Sequence, residues 1–345
     1  MNEAVSTPLP SATSVRPLFD VRGLRVWFVK DRTFSGRPRR YVKAVDDVSF
    51  HIAGGETLAI VGESGSGKTT TGLAILRAID PREGEIWFSP DGRQRYDLAS
   101  LSRREIRPLR RYFQMIFQDP FSSLNPRMTV RQIIAEPLKV NRVGTPEEQT
   151  DTVRRLLDEV GLNIEFLNRY PHAFSGGQRQ RIVIARALAL SPALIVCDEP
   201  VSALDVSVQA QILNLMVDLK ERHRLAYLFV AHDLHVVRHI ADRVAVMYAG
   251  RLVEEGSRDD LFDRPLHPYT SGLLASVPQP DPRKRRKRQI LAGEVPDPSN
   301  LPSGCVFHPR CPRALELCRR EPPPDFFQGA HRVRCWLYRN DADRI

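Results

Sequence analysis

A chain of 345 residues with 42% apolar side chains is long enough to bury one large core or two smaller ones, which excludes a disordered or fibrous protein. No apolar run reaches the roughly 18 residues of a bilayer span, and residues 1–17 lack the apolar centre of a secretory leader, so the chain is expected to stay in the cytoplasm. The formal charge of +10 points to an anionic partner, whether nucleic acid, a membrane surface or a bound phosphate, without choosing among them.

Residues 1–17, rich in Ser, Thr and Pro, read as a disordered N-terminal tail. Residues 18–29 alternate as an edge strand does, residues 42–52 suggest a second strand, and the Arg-rich stretch 30–40 between them reads as a loop. Tyr41, at the entry to the second strand, stands where an aromatic ring can stack on an adenine base, although plain packing also suits it. The apolar run 57–61 then leads through Gly62-Glu63-Ser64-Gly65-Ser66-Gly67-Lys68-Thr69 into a helical stretch at 70–79. This is G-x-x-x-x-G-K-[ST] in its strand, turn and helix setting. The glycines let backbone N–H groups curl around a polyphosphate, and the helix N-terminus adds positive potential at the same point. Lys68 is then expected to reach the β- and γ-phosphates, and the Thr69 hydroxyl to ligate Mg²⁺. A strand at 84–88, a turn at 90–92 and an Arg-rich helical stretch at 101–111 with a solvated face follow.

Residues 112–117 read as a buried strand ending in Gln118-Asp119-Pro120, where a glutamine can touch both a metal-bound water and a moving neighbour. Helical spacing at 130–140 and 147–160 marks a mostly helical subdomain inserted in an α/β core, spanning residues 120–190. Ser175-Gly176-Gly177-Gln178 precedes a helix at 179–190, with Ser175 suited to cap it, and two glycines at a helix entry suit close approach to a second anion. Since one chain has one triphosphate to hold, that helix end is assigned to the nucleotide of a partner subunit. The apolar strand 194–197 empties into Asp198 and Glu199: Asp198 suits Mg²⁺, and Glu199 can orient and deprotonate the attacking water. Cys197 reads as buried packing. The turn 202–205, ending in Asp205, leads into a helix at 208–222. The strand 227–231 ends at His232, placed to hydrogen-bond a γ-phosphate, and a hairpin at 244–255 closes the core.

In this order, the loop 62–69, Gln118, Ser175-Gly176-Gly177-Gln178, Asp198-Glu199, the turn 202–205 and His232 resemble the nucleotide-binding subunit of ATP-binding-cassette transporters, across residues 18–256. The fold implied is a P-loop α/β cassette, with a RecA-like core, an antiparallel β subdomain and a helical subdomain. Gln118-Asp119-Pro120-Phe121-Ser122-Ser123-Leu124-Asn125-Pro126-Arg127, Tyr170-Pro171-His172-Ala173 and His267-Pro268-Tyr269-Thr270 look like the oligopeptide/dipeptide importers, and residues 122–127 with Leu204-Asp205-Val206-Ser207-Val208-Gln209 resemble the F-type subunit more than its D-type partner. The resemblance implies that two cassettes close head to tail on two ATP molecules. One chain supplies Gly62, Ser64, Gly65, Ser66, Gly67, Lys68, Thr69 and Thr70 with Gln118, Asp198, Glu199 and His232, and Thr69, Gln118 and Asp198 stand around Mg²⁺. The other supplies Ser175, Gly176, Gly177 and Gln178 in trans, and Asp205 links the two sites. Phe174 replaces the Leu of many cassettes, an apolar exchange. Partners implied are a D-type cassette, two transmembrane permeases meeting the region around Gln118, and an extracytoplasmic solute-binding protein, which places the chain at the cytoplasmic face of the inner membrane. The other reading, a soluble cassette ATPase acting on nucleic acid, lacks the paired cassettes or coiled-coil insertions that such proteins carry.

Residues 257–345 resemble the peptide-importer extension. The basic run 283–288 reads as a solvated linker, a lipid-facing patch or, least of all, a nucleic-acid contact. Gly304-Cys305-x5-Cys311-Pro312-x5-Cys318-x16-Cys335 is not the paired spacing of structural zinc; it suits a [4Fe–4S] cluster at least as well. Resemblance to importer subunits that carry such a cluster favours iron–sulfur over Zn²⁺, with His308 and His331 as possible zinc ligands. The expected role of the site is to fix a tail too small to fold around its own core.

Overall fold

The computed structural model describes residues 16–32, 38–276 and 293–339. The readings for residues 1–15 and for the basic run 283–288 lie outside these residues.

Three apolar segments, Thr57–Val61, Leu194–Asp198 and Ala226–Ala231, are buried along their whole length, as strands of a parallel sheet covered on both faces must be. With Phe113–Ile116 and Arg243–Tyr248 they form the parallel part of an eight-stranded sheet, in the order Arg243–Tyr248, Thr57–Val61, Ala226–Ala231, Leu194–Asp198, Phe113–Ile116. The two-residue period divides their side chains between two cores. Ala59, Val61, Ile195, Cys197, Tyr227 and Phe229 meet the helices Gly176–Leu188 and Val206–His223. Leu58, Ile60, Val196 and Leu228 meet the helix Lys68–Ile75 and a four-stranded antiparallel sheet. The helices Val130–Val140 and Pro146–Glu159 pack on Gly176–Leu188, and each begins with a reciprocal capping box, Thr129 with Gln132 and Thr145 with Glu148.

Three expectations are corrected. Residues 18–29 are no edge: the strand Phe19–Arg32 lies between Pro38–Ile52 and Glu83–Phe88, pairing Phe19 with both Ile52 and Phe88. Alternation reports one buried face, which central and edge strands of such a sheet share, and the second partner is remote in sequence. The loop at 30–40 shrinks, because the hairpin keeps pairing out to Asp31 with Arg40. The strand at 112–117 is the half-buried edge Phe113–Ile116.

The tail does not fold apart from the cassette. Its hairpin, Phe326–Gln328 and His331–Val333, extends the eight-stranded sheet by pairing with Arg251–Ser257. Val306 and Phe307 enter the same core as Tyr248 and Tyr269.

Candidate functional site

The phosphate loop leaves the central strand Thr57–Val61 and enters the helix Lys68–Ile75. A Cβ on Gly62 would stand 2.1 Å from Met247 O, and one on Gly67 2.1 Å from Ala44 O, so backbone closes on the loop from two sides. Ser64 and Gly65 are exposed, and the buried Ser66 Oγ has no hydrogen-bond partner. These residues fit a polyphosphate: a buried hydroxyl without a partner sits in a tight glycine turn at a helix start. Lys68 is buried, and its Nζ donates to Gly62 O at 2.7 Å and Glu63 O at 2.9 Å. Burial lowers its pKa, against the nearby Glu199, Asp198 and Glu63 charges. Thr69 Oγ1 donates to Asp198 Oδ1 at 2.9 Å, which gathers two oxygens suited to Mg²⁺. Burial raises the Asp198 pKa, and the Thr69 hydrogen bond opposes the shift. Thr70 is half-buried in the first helical turn.

Gln118, Glu199 and His232 follow three neighbouring parallel strands, Phe113–Ile116, Leu194–Asp198 and Ala226–Ala231, at their carboxyl ends. Sheets of this kind present their ligand sites there. Gln118 Nε2 donates to Glu199 Oε2 at 2.9 Å, and His232 Nδ1 lies 2.9 Å from Glu199 Oε1. Glu199 has φ 48° and anchors its N–H on Val230 O, a strained turn that aims the carboxylate past the strand end. A cleft of about 150 Å³, lined by Glu199, Ser202, Gln209 and His232, opens beside it.

Ser175 caps the helix Gly176–Leu188, with Gln178 completing a capping box, so Gly176 and Gly177 are its first turn and the helix starts earlier than the expected 179. A Cβ on Gly177 would stand 2.5 Å from Val208 Cγ1, which joins this helix end to the segment around the exposed Asp205. Among the described residues no hydrogen bond joins Ser175-Gly176-Gly177-Gln178 to the phosphate loop. Tyr41 lies 5.9 Å from Trp27, with the Arg82 guanidinium 4.5 Å over its ring.

Burial raises the Cys305 thiol to about 11, Cys335 to about 12, and Cys311 in the same direction. Each sulfur is also drawn down by a backbone N–H two residues on, from Phe307, Leu337 and Arg313 respectively. The other three tail cysteines are close enough for their charges to act on Cys335. Such a donor set suits a soft metal, yet among the described residues no three His, Cys, Asp or Glu side chains converge tightly enough to hold one. The [4Fe–4S] and zinc expectations therefore gain no support from this geometry. Sequence reasoning missed Arg310 and Tyr269, tail residues that grip Glu63 of the phosphate loop. The signal for them lay in two charged or aromatic residues beside motifs that were read for other reasons.

The glycine loop at the end of a central parallel strand, with Asp198 and Glu199 ending a nearby one, defines an ATPase of the ATP-binding-cassette class. Residues 45–202 match the profile of the ABC transporter family, and residues 253–318 match the oligopeptide/dipeptide transporter C-terminal region. The oligopeptide transport ATP-binding protein AppF of Bacillus subtilis is 50% identical over 333 residues, covering 95% of this chain and 99% of AppF. A putative peptide import ATP-binding protein of Brucella ovis is 53% identical over 307 residues, covering 89% and 93%. The solved ATP-binding cassette MJ0796, a dimer in a post-hydrolysis state bound to ADP and Pi, aligns with TM-score 0.60 at 28% identity, covering 70% of this chain and 98% of that one. Structurally, cbiO1 of Clostridium perfringens is similar, with TM-score 0.61 at 26% identity over 72% and 91% of the two chains. The chain belongs to the ATP-binding subunits of the oligopeptide/dipeptide ABC transporter family. It is an ABC-type ATPase, with ATP and Mg²⁺ as its expected substrate and cofactor. Among the described residues no helix is long and apolar enough to cross a membrane, and none of these similarities supports a nucleic-acid function.

Proposed function

We propose that this chain is the energy-coupling subunit of a peptide importer, hydrolysing ATP at the site built from residues 62–70, Gln118, Asp198, Glu199 and His232. The observation that carries this reading is the Glu199 carboxylate held between Gln118 and His232, each at 2.9 Å. Glu199 takes the proton of the attacking water, Gln118 fixes the carboxylate, and His232 turns toward the γ-phosphate. Lys68 exchanges its loop carbonyls for phosphate oxygens, and Tyr41 stacks on the adenine. Thr69, Asp198 and Gln118 would hold Mg²⁺, which would supply neutralisation of phosphate charge. Replacing Glu199 by Gln is expected to leave ATP affinity intact and to cut hydrolysis by about 10²–10⁴-fold, the range that a general base supplies. Unchanged steady-state phosphate release would refute Glu199 as the base.

Ser175, Gly176, Gly177 and Gln178 serve the partner's nucleotide, and Asp205 links the two sites; the exposed cap Ser175 and the dimeric relative MJ0796 support this. Similarity to AppF supports an F-type subunit, and a D-type cassette is the proposed partner. Phe117 and Phe121, 46% and 61% exposed beside Gln118, offer an apolar landing for a short permease helix. With two permeases and an extracytoplasmic solute-binding protein, the complex places this chain peripherally on the cytoplasmic face of the inner membrane. Residues 18–256 form the cassette, with residues 120–190 its helical subdomain, and residues 257–345 the extension. Cys305, Cys311, Cys318 and Cys335 would hold a [4Fe–4S] cluster in preference to zinc, a reading that the family resemblance alone supports. A brown protein whose absorption band bleaches on reduction supports iron; a colourless one containing zinc reverses the choice. Purifying the tagged chain from membranes and identifying its companions tests the assembly, with two multispanning proteins expected.

A further inference from the structure

Glu63, the second residue of the phosphate loop, is held at every polar group it has. Its N–H donates to Tyr269 Oη at 3.0 Å, and its carbonyl accepts from Lys68 Nζ at 2.9 Å. Its carboxylate takes both arms of one guanidinium, Arg310 Nη1 to Oε2 at 2.7 Å and Nη2 to Oε1 at 3.1 Å. Arg310 is 9% exposed, and its Nη1 also lies 3.4 Å from Tyr248 Oη. Tyr248, Tyr269 and Phe307 pack ring to ring around it, with centroids 4.6 to 5.4 Å apart. Arg310, Tyr269 and Phe307 all belong to the tail beyond residue 256.

We propose that Arg310 is a positioning residue for ATP: by clamping Glu63 it holds the phosphate loop in its nucleotide-binding curl, so that the tail completes the ATP site. A forked, mostly buried Arg–carboxylate pair fixes orientation as well as distance. What it restrains is a glycine turn, the backbone that loses most freedom on ordering. The clamp also keeps a negative charge in place. Glu63 already acts on Lys68, and a released carboxylate would compete with phosphate oxygens for that ammonium while repelling the polyphosphate. The Glu199 carboxylate is held by Gln118 and His232, whereas Arg310 grips Glu63 of the phosphate loop, so the loss is expected in nucleotide affinity more than in turnover.

This inference rests on reading residues 62–69 as the phosphate loop, and the test separates the two. In the full-length chain, the affinity for a fluorescent ATP analogue, KM for ATP and kcat are measured for the wild type, Arg310→Ala, Arg310→Lys, Glu63→Gln, the double variant Glu63→Gln/Arg310→Ala, Tyr269→Phe and Lys68→Ala. Arg310→Ala is expected to raise KM and the dissociation constant about tenfold with kcat within about twofold, while Arg310→Lys, a single-point donor, recovers part of the loss. The double variant is expected to bind ATP no worse than Arg310→Ala, because Glu63→Gln removes the charge that would otherwise be set loose. An unchanged KM in folded Arg310→Ala, a loss confined to kcat, or additive losses in the double variant overturns the proposal. Should Arg310→Ala not fold, Tyr269→Phe decides by removing one oxygen: a KM raised about threefold supports the clamp and an unchanged KM overturns it. Wild-type affinity in Lys68→Ala would instead sink the phosphate-loop reading itself, and the proposal with it.

Discussion

Gly67 meets two demands that no other residue type meets together. Its φ is 103°, and a Cβ would stand 2.1 Å from Ala44 O and 2.8 Å from Met247 Cε, so a side chain must push a strand backbone aside. Gly65 has φ 77° but nothing within 4 Å of a Cβ. Gly65→Ala is therefore expected to cost only the left-handed backbone penalty, about 1–2 kcal/mol, whereas Gly67→Ala should abolish measurable ATP binding. Titrating both variants with a fluorescent nucleotide, alongside thermal unfolding, checks the difference; equal losses would mean that the contact with Ala44 carries no weight. Residue types at this site were legible because the chemistry fixes their spacing. What closes around Gly67 was not, since Ala44 and Met247 carry no chemical signature and reach the loop only through the fold. Cys197 was readable for a simpler reason: an apolar strand buries it, and burial pushes its thiol far above the ordinary value.

Among the elements, the helix Pro268–Ala275 shows how a cap becomes a pH sensor. Its cap residue, the fully buried His267, accepts the Tyr269 N–H on Nδ1 at 3.1 Å, so that nitrogen must be unprotonated. Burial depresses its pKa from 6.5 to about 4, against the pull of Glu254, whose carboxylate accepts the His267 N–H and faces His331. The unfolded chain then binds a proton that the folded chain refuses between these two values. Stability is complete above pH 6.5 and drains as pH falls toward 4, by about 2 kcal/mol between pH 7.5 and pH 5. Asn can still accept the Tyr269 N–H, so His267→Asn is expected to flatten this part of the profile in denaturant melts at the two pH values. The same slope in both proteins would place the proton elsewhere. The Ser175 cap and the fully apolar strands could be read directly because each is local. The rank of Phe19–Arg32 within its sheet could not, because Glu83–Phe88, its second partner, lies beyond the phosphate loop.

At the scale of the molecule, the order of the motifs along the chain identified the cassette, and the tail's return to it stayed hidden. The pairing of His331–Val333 with Arg251–Ser257 joins segments that share no pattern, and three-residue strands are too short for alternation to register. A different surface remains unaccounted for within one chain. Val206 is 82% exposed at the start of the helix Val206–His223, directly after Asp205. A lone exposed valine is ordinary, but this one shares its neighbourhood with the Ser175 cap, since Gly176 approaches Leu204 and Gly177 approaches Val208. If two cassettes close over ATP with Ser175 reaching the partner's nucleotide, Val206 is desolvated in the same event. A charge placed there would then be buried beside Asp205 without a partner, which is costly enough to weaken pairing by at least about tenfold. Val206→Asp touches none of the groups of the phosphate loop, so each separate chain should keep its affinity for ATP. In sedimentation with ATP and the partner cassette, the hydrolysis-blocked Glu199→Gln protein should therefore pair, and the Glu199→Gln/Val206→Asp protein should remain monomeric while still nucleotide-loaded. Pairing that survives the charge would remove Val206 from the interface, and with it the orientation that brings Ser175 to a neighbour's phosphate.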